Sequence, residues 1–176
     1  MDKITMPRNV EIKARIKSVE ALAPKAAALA DKGPEDIVQD DTFFACERGR
    51  LKLRAFSDAA GQLIFYHRPD QSGPKESFYV LSPTSSPDTL RSALTLAYGQ
   101  TGRVRKKRIL FLVGRTRIHL DIVENLGHFL ELEVALSEGE PSQAGVRIAH
   151  DLLGKLGISS NHLIEGAYVD LLNNSK

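Results

Sequence analysis

The sequence predicts an α+β fold: about eight antiparallel strands in a closed or nearly closed barrel, with helices packed outside. Three observations predict it. Period-two alternation of apolar and polar residues recurs in segment after segment, mostly joined by short turns, so that neighbouring strands run antiparallel. Helical stretches stand at the start, middle and end of the chain. Several strands also carry charge on their polar face, and helices coating the apolar faces would turn that charge inward.

The elements follow in order. "RNVEIKARIK" alternates Val10, Ile12, Ala14 and Ile16 with Asn9, Glu11, Lys13 and Arg15, hence a strand. "SVEALAPKAAALADKG" is helical, with Ser18 as N-cap, Gly33 able to close the C-terminus, and Pro24 able to disturb the first turn. "IVQDDTFFAC", "RLKLRAF" and "QLIFYHRP" are strands, the last two joined by a turn at "SDAAG". A loop, "QSGPKE", leads into a short strand around "SFYVL", and a Ser/Pro connector leads into a helix over Pro87–Tyr98. Three more strands follow, "RVRKKRILFLV", "RTRIHLDIV" and "HFLELEVAL". The tail, "PSQAGVRIAHDLLGKLGI" and "NHLIEGAYVDLLNN", reads as two helices with a stop near Gly157. The Ser82–Pro87 connector is too short to separate two domains, so residues 1–176 are read as one.

Composition narrows the function. The chain of 176 residues is 42% hydrophobic and 26% charged, with a net charge of +2, so any basic surface is local. A general nucleic-acid binder would show a pronounced excess of Lys and Arg, so a nucleic-acid partner is not expected. The single cysteine, Cys46, excludes an internal disulfide and reads as a small, partly buried strand residue. "MDKITMPRNV" lacks the apolar stretch of a signal peptide and no run is long enough for a membrane span, which makes a cytoplasmic location the expectation.

The charges sort by strand face. Glu11 and Lys13 share one face of the first strand, and Lys52 and Arg54 one face of the third. Arg68 shares parity with Tyr66. Lys106 and Arg108 face one way on the sixth strand, although Arg105 and Lys107 occupy the other parity and leave its register open. Arg115, Arg117, His119 and Asp121 share a face, as do Glu131 and Glu133. A half-buried strand ordinarily turns such a face to water. Here pure cation pairs stand on some strands and a pure carboxylate pair on the eighth, and the apolar faces are the only large surfaces the helices could cover. Two carboxylates about 7 Å apart on one face repel by roughly 2 kcal/mol at an effective dielectric near 20. Inside a barrel, such carboxylates from different strands would make a hard oxygen site for Mg²⁺ or Mn²⁺. The converging Lys and Arg would suit a phosphate chain.

These residues resemble a known family. "VEIKARI" resembles the N-terminal ExExK strand of the CYTH superfamily, the triphosphate tunnel metalloenzymes. "HLDIVENLGHFLELE" resembles the closing hairpin of its class IV adenylyl cyclase-like and thiamine triphosphatase-like branch, and the likeness runs over nearly the whole chain. It implies a tunnel of eight antiparallel strands, dependence on Mg²⁺ or Mn²⁺, and a small-molecule triphosphate substrate. By position, Glu11 and Lys13 match the second Glu and the Lys of ExExK. Lys52, Arg54, Arg68, Lys106 and Arg108 match the phosphate-gripping residues, and Glu11, Asp121, Glu131 and Glu133 the metal-binding carboxylates. Lys13 would sit near the reacting end. Asn9 stands where the motif has its first Glu; it offers an oxygen to a second metal with one negative charge fewer.

Hydrolysis of a triphosphate-containing small molecule (thiamine triphosphate, a nucleoside triphosphate or inorganic tripolyphosphate) is the reading favoured, because water is always available as nucleophile. A class IV adenylyl cyclase releasing cyclic AMP and pyrophosphate is the alternative, and a non-catalytic polyphosphate- or nucleotide-binding module a further one. Arg115, Arg117 and Lys75 read first as ordinary surface residues that could extend the basic lining. His119 reads as structural or as a partner of Asp121, and Tyr66 as packing or lining.

Overall fold

Strand pairing follows the alternation. The computed structural model describes residues 7–69 and 71–175; residues 1–6, part of the stretch read for a signal peptide, lie outside these. The strands are β1 (Arg8–Arg15), β2 (Lys32–Phe44), β3 (Arg50–Ser57), β4 (Ala60–His67), β5 (Lys75–Thr84), β6 (Gln100–Val113), β7 (Thr116–Val123) and β8 (Gly127–Leu136). Helices α1 (Val19–Leu29), α2 (Pro87–Tyr98), α3 (Ser142–Leu156) and α4 (Tyr168–Asn174) stand among them. The strands close into a ring in the order β1-β5-β4-β3-β2-β6-β7-β8, and each neighbouring pair is antiparallel, the closing β8–β1 pair included.

Apolar faces point outward under the helices. Val10 and Ile12 of β1, Ile118 and Leu120 of β7, and Leu130, Leu132 and Val134 of β8 are all buried. They join one cluster with Val19, Leu22 and Ala26 of α1 and Ala149, Leu152, Leu153 and Leu156 of α3. Burying side chains of this size stabilises by about 1.5–3 kcal/mol each. The parity of each strand is thereby fixed, because a slip of one residue would push its charged set into that apolar layer.

Several boundaries differ from expectation. Ser18 caps α1, its hydroxyl accepting from the Ala21 amide, and the helix runs unbroken through Pro24. It ends at Ala30, however, and Gly33 belongs to β2 with φ +110°, where a Cβ would meet the Leu110 carbonyl oxygen at 2.7 Å. β2 begins at Lys32 rather than Ile37 because the long β6 offers it an edge as far as Leu112. β5 extends into both flanking segments. It pairs with β1 only from Lys75 to Phe78, so the missing amide of Pro83 costs no hydrogen bond on the open side. The last helix begins only at Tyr168; the residues before it form a 3-10 turn at Ser160–His162 and a bridge from Leu163 to Ala14.

Candidate functional site

The inward faces of all eight strands line one cavity of about 430 Å³. Its residues come from the odd positions of β1, β2, β5, β7 and β8 and the even positions of β3, β4 and β6. The β6 register is settled by β2: Gln39 lies opposite Lys106 and Ile37 opposite Arg108, which buries both cations and leaves Arg105 and Lys107 exposed.

Glu11, Glu131 and Glu133 meet on the β8–β1 wall. Register places Glu11 opposite Glu133 and Lys13 opposite Glu131, and oxygens of the three carboxylates lie within 4.8 Å of one another. At that spacing and an effective dielectric near 20, each pair repels by about 3 kcal/mol. Cations offset part of this. Arg68 donates to Glu11, Arg117 to Glu133 at 3.0 Å and Arg108 to Glu131 at 3.3 Å. Burial, with Glu131 and Glu133 alongside, pushes the Glu11 carboxyl up against the pull of Arg68.

The opposite wall in the ring, β3–β2, is basic. Lys52 and Arg54 both face inward, as do Lys106 and Arg108 on neighbouring β6. A carboxylate absent from the sequence-based site, Asp41, holds the first two. Arg54 donates to it through Nε and a terminal nitrogen at 2.7 Å each, and Lys52 at 3.0 Å. Burial works to raise the Asp41 carboxyl, yet Arg54 and Lys52 keep it well below the usual carboxylate range. Burial lowers Lys106 to about 7, with Arg108 adding to the fall. Burial and Arg54 lower Lys52 to about 8 against the pull of Asp41.

Asp121 is not brought to the carboxylate trio. It is fully buried, takes two bonds from Arg108 at 2.6 and 2.7 Å, and accepts from the Tyr168 hydroxyl at 2.8 Å. Lys106 Nζ lies 3.7 Å away. The register explains the separation, since Asp121 faces Phe129 on β8, one inward step below Glu131. Tyr168 closes this end of the tunnel, with Lys13 Nζ 4.1 Å from its ring centroid. No alternation marks Tyr168 in the sequence, and Asp41 was hidden by its twin Asp40, which faces outward to Arg103.

The remaining candidates divide. Arg117 and Tyr66 line the tunnel, whereas Arg115 lies outside it, paired with Glu140. Lys75 is buried, and donates to the Gln71 carbonyl at 2.9 Å. His119 faces inward 3.8 Å from Glu133; burial and Arg108 lower it to about 4, so its ring is neutral at neutral pH. Asn9 is 3% exposed, with an Oδ1 that meets no donor. The three carboxylates form a donor set of hard oxygens, which fits a divalent cation such as Mg²⁺ or Mn²⁺, and Asn9 shares the inward face of β1 two residues from Glu11.

Fold and lining together define an eight-stranded tunnel with an acidic wall facing a basic one. The CYTH domain model matches residues 7–168, and the chain belongs to the CYTH family. Adenylate cyclase CyaB of Aeromonas hydrophila is 27% identical over 177 residues, covering 94% of this chain and 89% of that protein. The PH1012 protein of Pyrococcus horikoshii OT3 superposes with a TM-score of 0.83 at 21% identity, covering 93% of this chain and 98% of that one. HpAC1 from Hippeastrum, named as an adenylyl cyclase with a dominant triphosphatase activity, superposes with a TM-score of 0.67 at 17% identity over 96% of both chains. Among the described residues, no helix is long and apolar enough to cross a membrane.

Proposed function

We propose that the protein is a metal-dependent enzyme that hydrolyses a small-molecule triphosphate held in the tunnel. One observation carries the reading: a carboxylate trio with oxygens within 4.8 Å shares a single cavity with Lys and Arg from several other strands. Glu11, Glu131 and Glu133 would hold Mg²⁺ or Mn²⁺, with Asn9 Oδ1 next along β1. Such an ion supplies Lewis-acid polarisation of phosphate oxygens and acidifies bound water.

The protein's own groups do the rest. Lys52, Arg54, Lys106 and Arg108 neutralise the phosphate chain and the charge that grows on it as a P–O bond breaks. Arg68 and Lys13 receive its far end near the Tyr168 floor. Asp121 orients Arg108 through two parallel hydrogen bonds and so acts as a positioning residue rather than as part of the trio. Walls formed by eight paired strands hold these groups in place before substrate arrives, which lowers the reorganisation needed at reaction.

A second reading, cyclisation of ATP, is favoured by the 27% identity to a protein named adenylate cyclase. Phosphorus NMR separates the two. Purified protein is given ATP, thiamine triphosphate or tripolyphosphate with Mg²⁺ or Mn²⁺. Orthophosphate release is the expected result; cyclic AMP with pyrophosphate would instead establish the cyclase. Metal-dependent binding without turnover would overturn both and leave a binding module.

A further inference from the structure

A second cavity, of about 630 Å³, lies outside the barrel and shares no lining residue with the tunnel. It is walled by the end of β1 and its link into α1, by α1 itself, by the end of α3, and by the strap that follows Gly157. Ser18, Ala21, Leu22 and Lys25 line it at the i, i+3, i+4, i+7 spacing of one helical face.

The lining sorts into an apolar interior and a cationic rim. Ile16, Leu22, Leu156, Ile158 and Ile164 supply the first; the two leucines are buried and the three isoleucines half-buried. Water against this much branched hydrocarbon is unfavourably placed, and an apolar ligand would displace it. Ala21, exposed and small, leaves the space open.

Arg15, Lys17 and Lys25 supply the rim, and all three are exposed. No Asp or Glu is among the described residues that line the cavity. Arg15 donates to the Leu126 carbonyl at 3.0 Å, which is a neutral acceptor. Neither Lys17 nor Lys25 has a hydrogen-bond or ion-pair partner among the described residues. Lys25 reaches over the end of α3, where a Cβ on Gly157 would lie 3.5 Å from its Nζ. The partial negative charge of a helix C-terminus attracts an ammonium without cancelling it. Glu20, the acid nearest in sequence, lies outside the lining and accepts from the Ser18 hydroxyl at 2.7 Å.

We infer that this cavity binds a small amphipathic anion: an unbranched acyl chain seated on the isoleucines and leucines, with its carboxylate at Lys17 and Lys25. Charge selects the head group, since three cations with no acid in the lining leave an anion as the matching partner. Size selects a small molecule. The volume falls in the range of ligand pockets, roughly 300–1,000 Å³, whereas a protein partner needs about 800 Å² of contact on each side. The inference does not depend on what the tunnel binds.

Decanoate is the probe, titrated calorimetrically into the full chain below its micelle concentration, with decanol and decyltrimethylammonium as neutral and cationic controls. Decanoate should bind about tenfold more tightly than decanol, the size expected of two exposed charge contacts. Lys17→Glu with Lys25→Glu should erase that advantage and leave decanol unchanged, while Lys17→Arg with Lys25→Arg should preserve it. Ala21→Trp, at an exposed helical position, should fill the cavity and abolish decanoate binding, with thermal melts checking that each variant is folded. Saturating tripolyphosphate should not displace decanoate from the parent protein. Absence of decanoate binding, or affinity for either control equal to or above that for decanoate, would overturn the inference. So would binding that survives Ala21→Trp and yields to tripolyphosphate, because the ligand would then lie in the tunnel. Self-association in sedimentation that Ala21→Trp abolishes would assign the cavity to a second copy of the chain and overturn it equally.

Discussion

The β8–β1 wall and the β2–β3 wall face each other across the tunnel, and they manage buried charge in opposite ways. On the first, Glu11, Glu131 and Glu133 crowd together while their cationic partners reach in from separate strands. On the second, a single carboxylate, Asp41, is gripped by both Lys52 and Arg54. The acidic wall gathers more negative charge at one point than its partners approach closely. On the basic wall Asp41 offsets one of the two charges it grips, and under the proposed function a phosphate oxygen would compete with it for the same donors. The first wall would then attract a cation and the second exchange an internal anion for a ligand.

Breaking the acidic wall should have the largest consequence. Glu133→Gln removes one charged oxygen pair from the trio and should lower kcat/KM by about a hundredfold or more, since even outer partners of metal ligands are worth about 10–100-fold. Its melting temperature should move little, because the Arg117 side chain of that ion pair is 40% exposed. Steady-state kinetics with metal titration and a thermal melt check both halves; unchanged turnover would remove Glu133 from the site.

The basic wall should show itself through pH. With Lys106 lowered to about 7 and Lys52 to about 8 in the free protein, a bound phosphate chain would raise both, and binding would take up protons. Affinity is therefore fully present below about 7 and falls as pH rises through these values. A loss of about tenfold in tripolyphosphate affinity between pH 7 and pH 9 is expected. Calorimetry in buffers of differing ionisation enthalpy reads the proton uptake directly, and pH-independent binding would contradict it.

Asp41→Asn sharpens the comparison from the other side. Releasing Lys52 and Arg54 should tighten metal-free tripolyphosphate binding severalfold, up to about tenfold, or about 1.4 kcal/mol. Weaker binding in this variant would mean that Asp41 serves to hold the two cations in position rather than to compete with the ligand. The smallest effect is expected from Asn9→Glu. A fourth carboxylate in place of the unpartnered Oδ1 should tighten Mn²⁺ binding by a few fold, as read by calorimetric titration; no change would place Asn9 outside the cation's reach.

Much of this was legible in the chain. Glu131 and Glu133, Lys52 and Arg54, and Glu11 and Lys13 each declare a common face because side-chain direction repeats every two residues along any strand. The helical tail and the apolar faces that needed covering pointed to charge turned inward. Where neighbours are chemically alike, the pattern fell silent. "RVRKKR" puts a cation at either parity of β6, and "DD" does the same for a carboxylate on β2. Pairing chose between them: Gln39 against Lys106 on one side, and Arg108 against Asp121 on the other. The strand extensions at Lys32 and Lys75 were hidden for a related reason, since Gly and Pro read as turns until a partner strand supplies an edge.

By itself, then, the sequence determined which residues share a strand face, and hence that the carboxylate pair of β8 and the cation pairs of β3 and β6 would stand on separate strands. Only the closed ring decided how far along the tunnel each group sits. Stagger between strands joined Glu11 to Glu133 from opposite ends of the chain, and it left Asp121 one step lower under Arg108 and Tyr168. Alternation is a local property of the backbone; relative depth depends on the register of strands far apart in sequence, which hydrogen bonding and packing around the whole barrel set together.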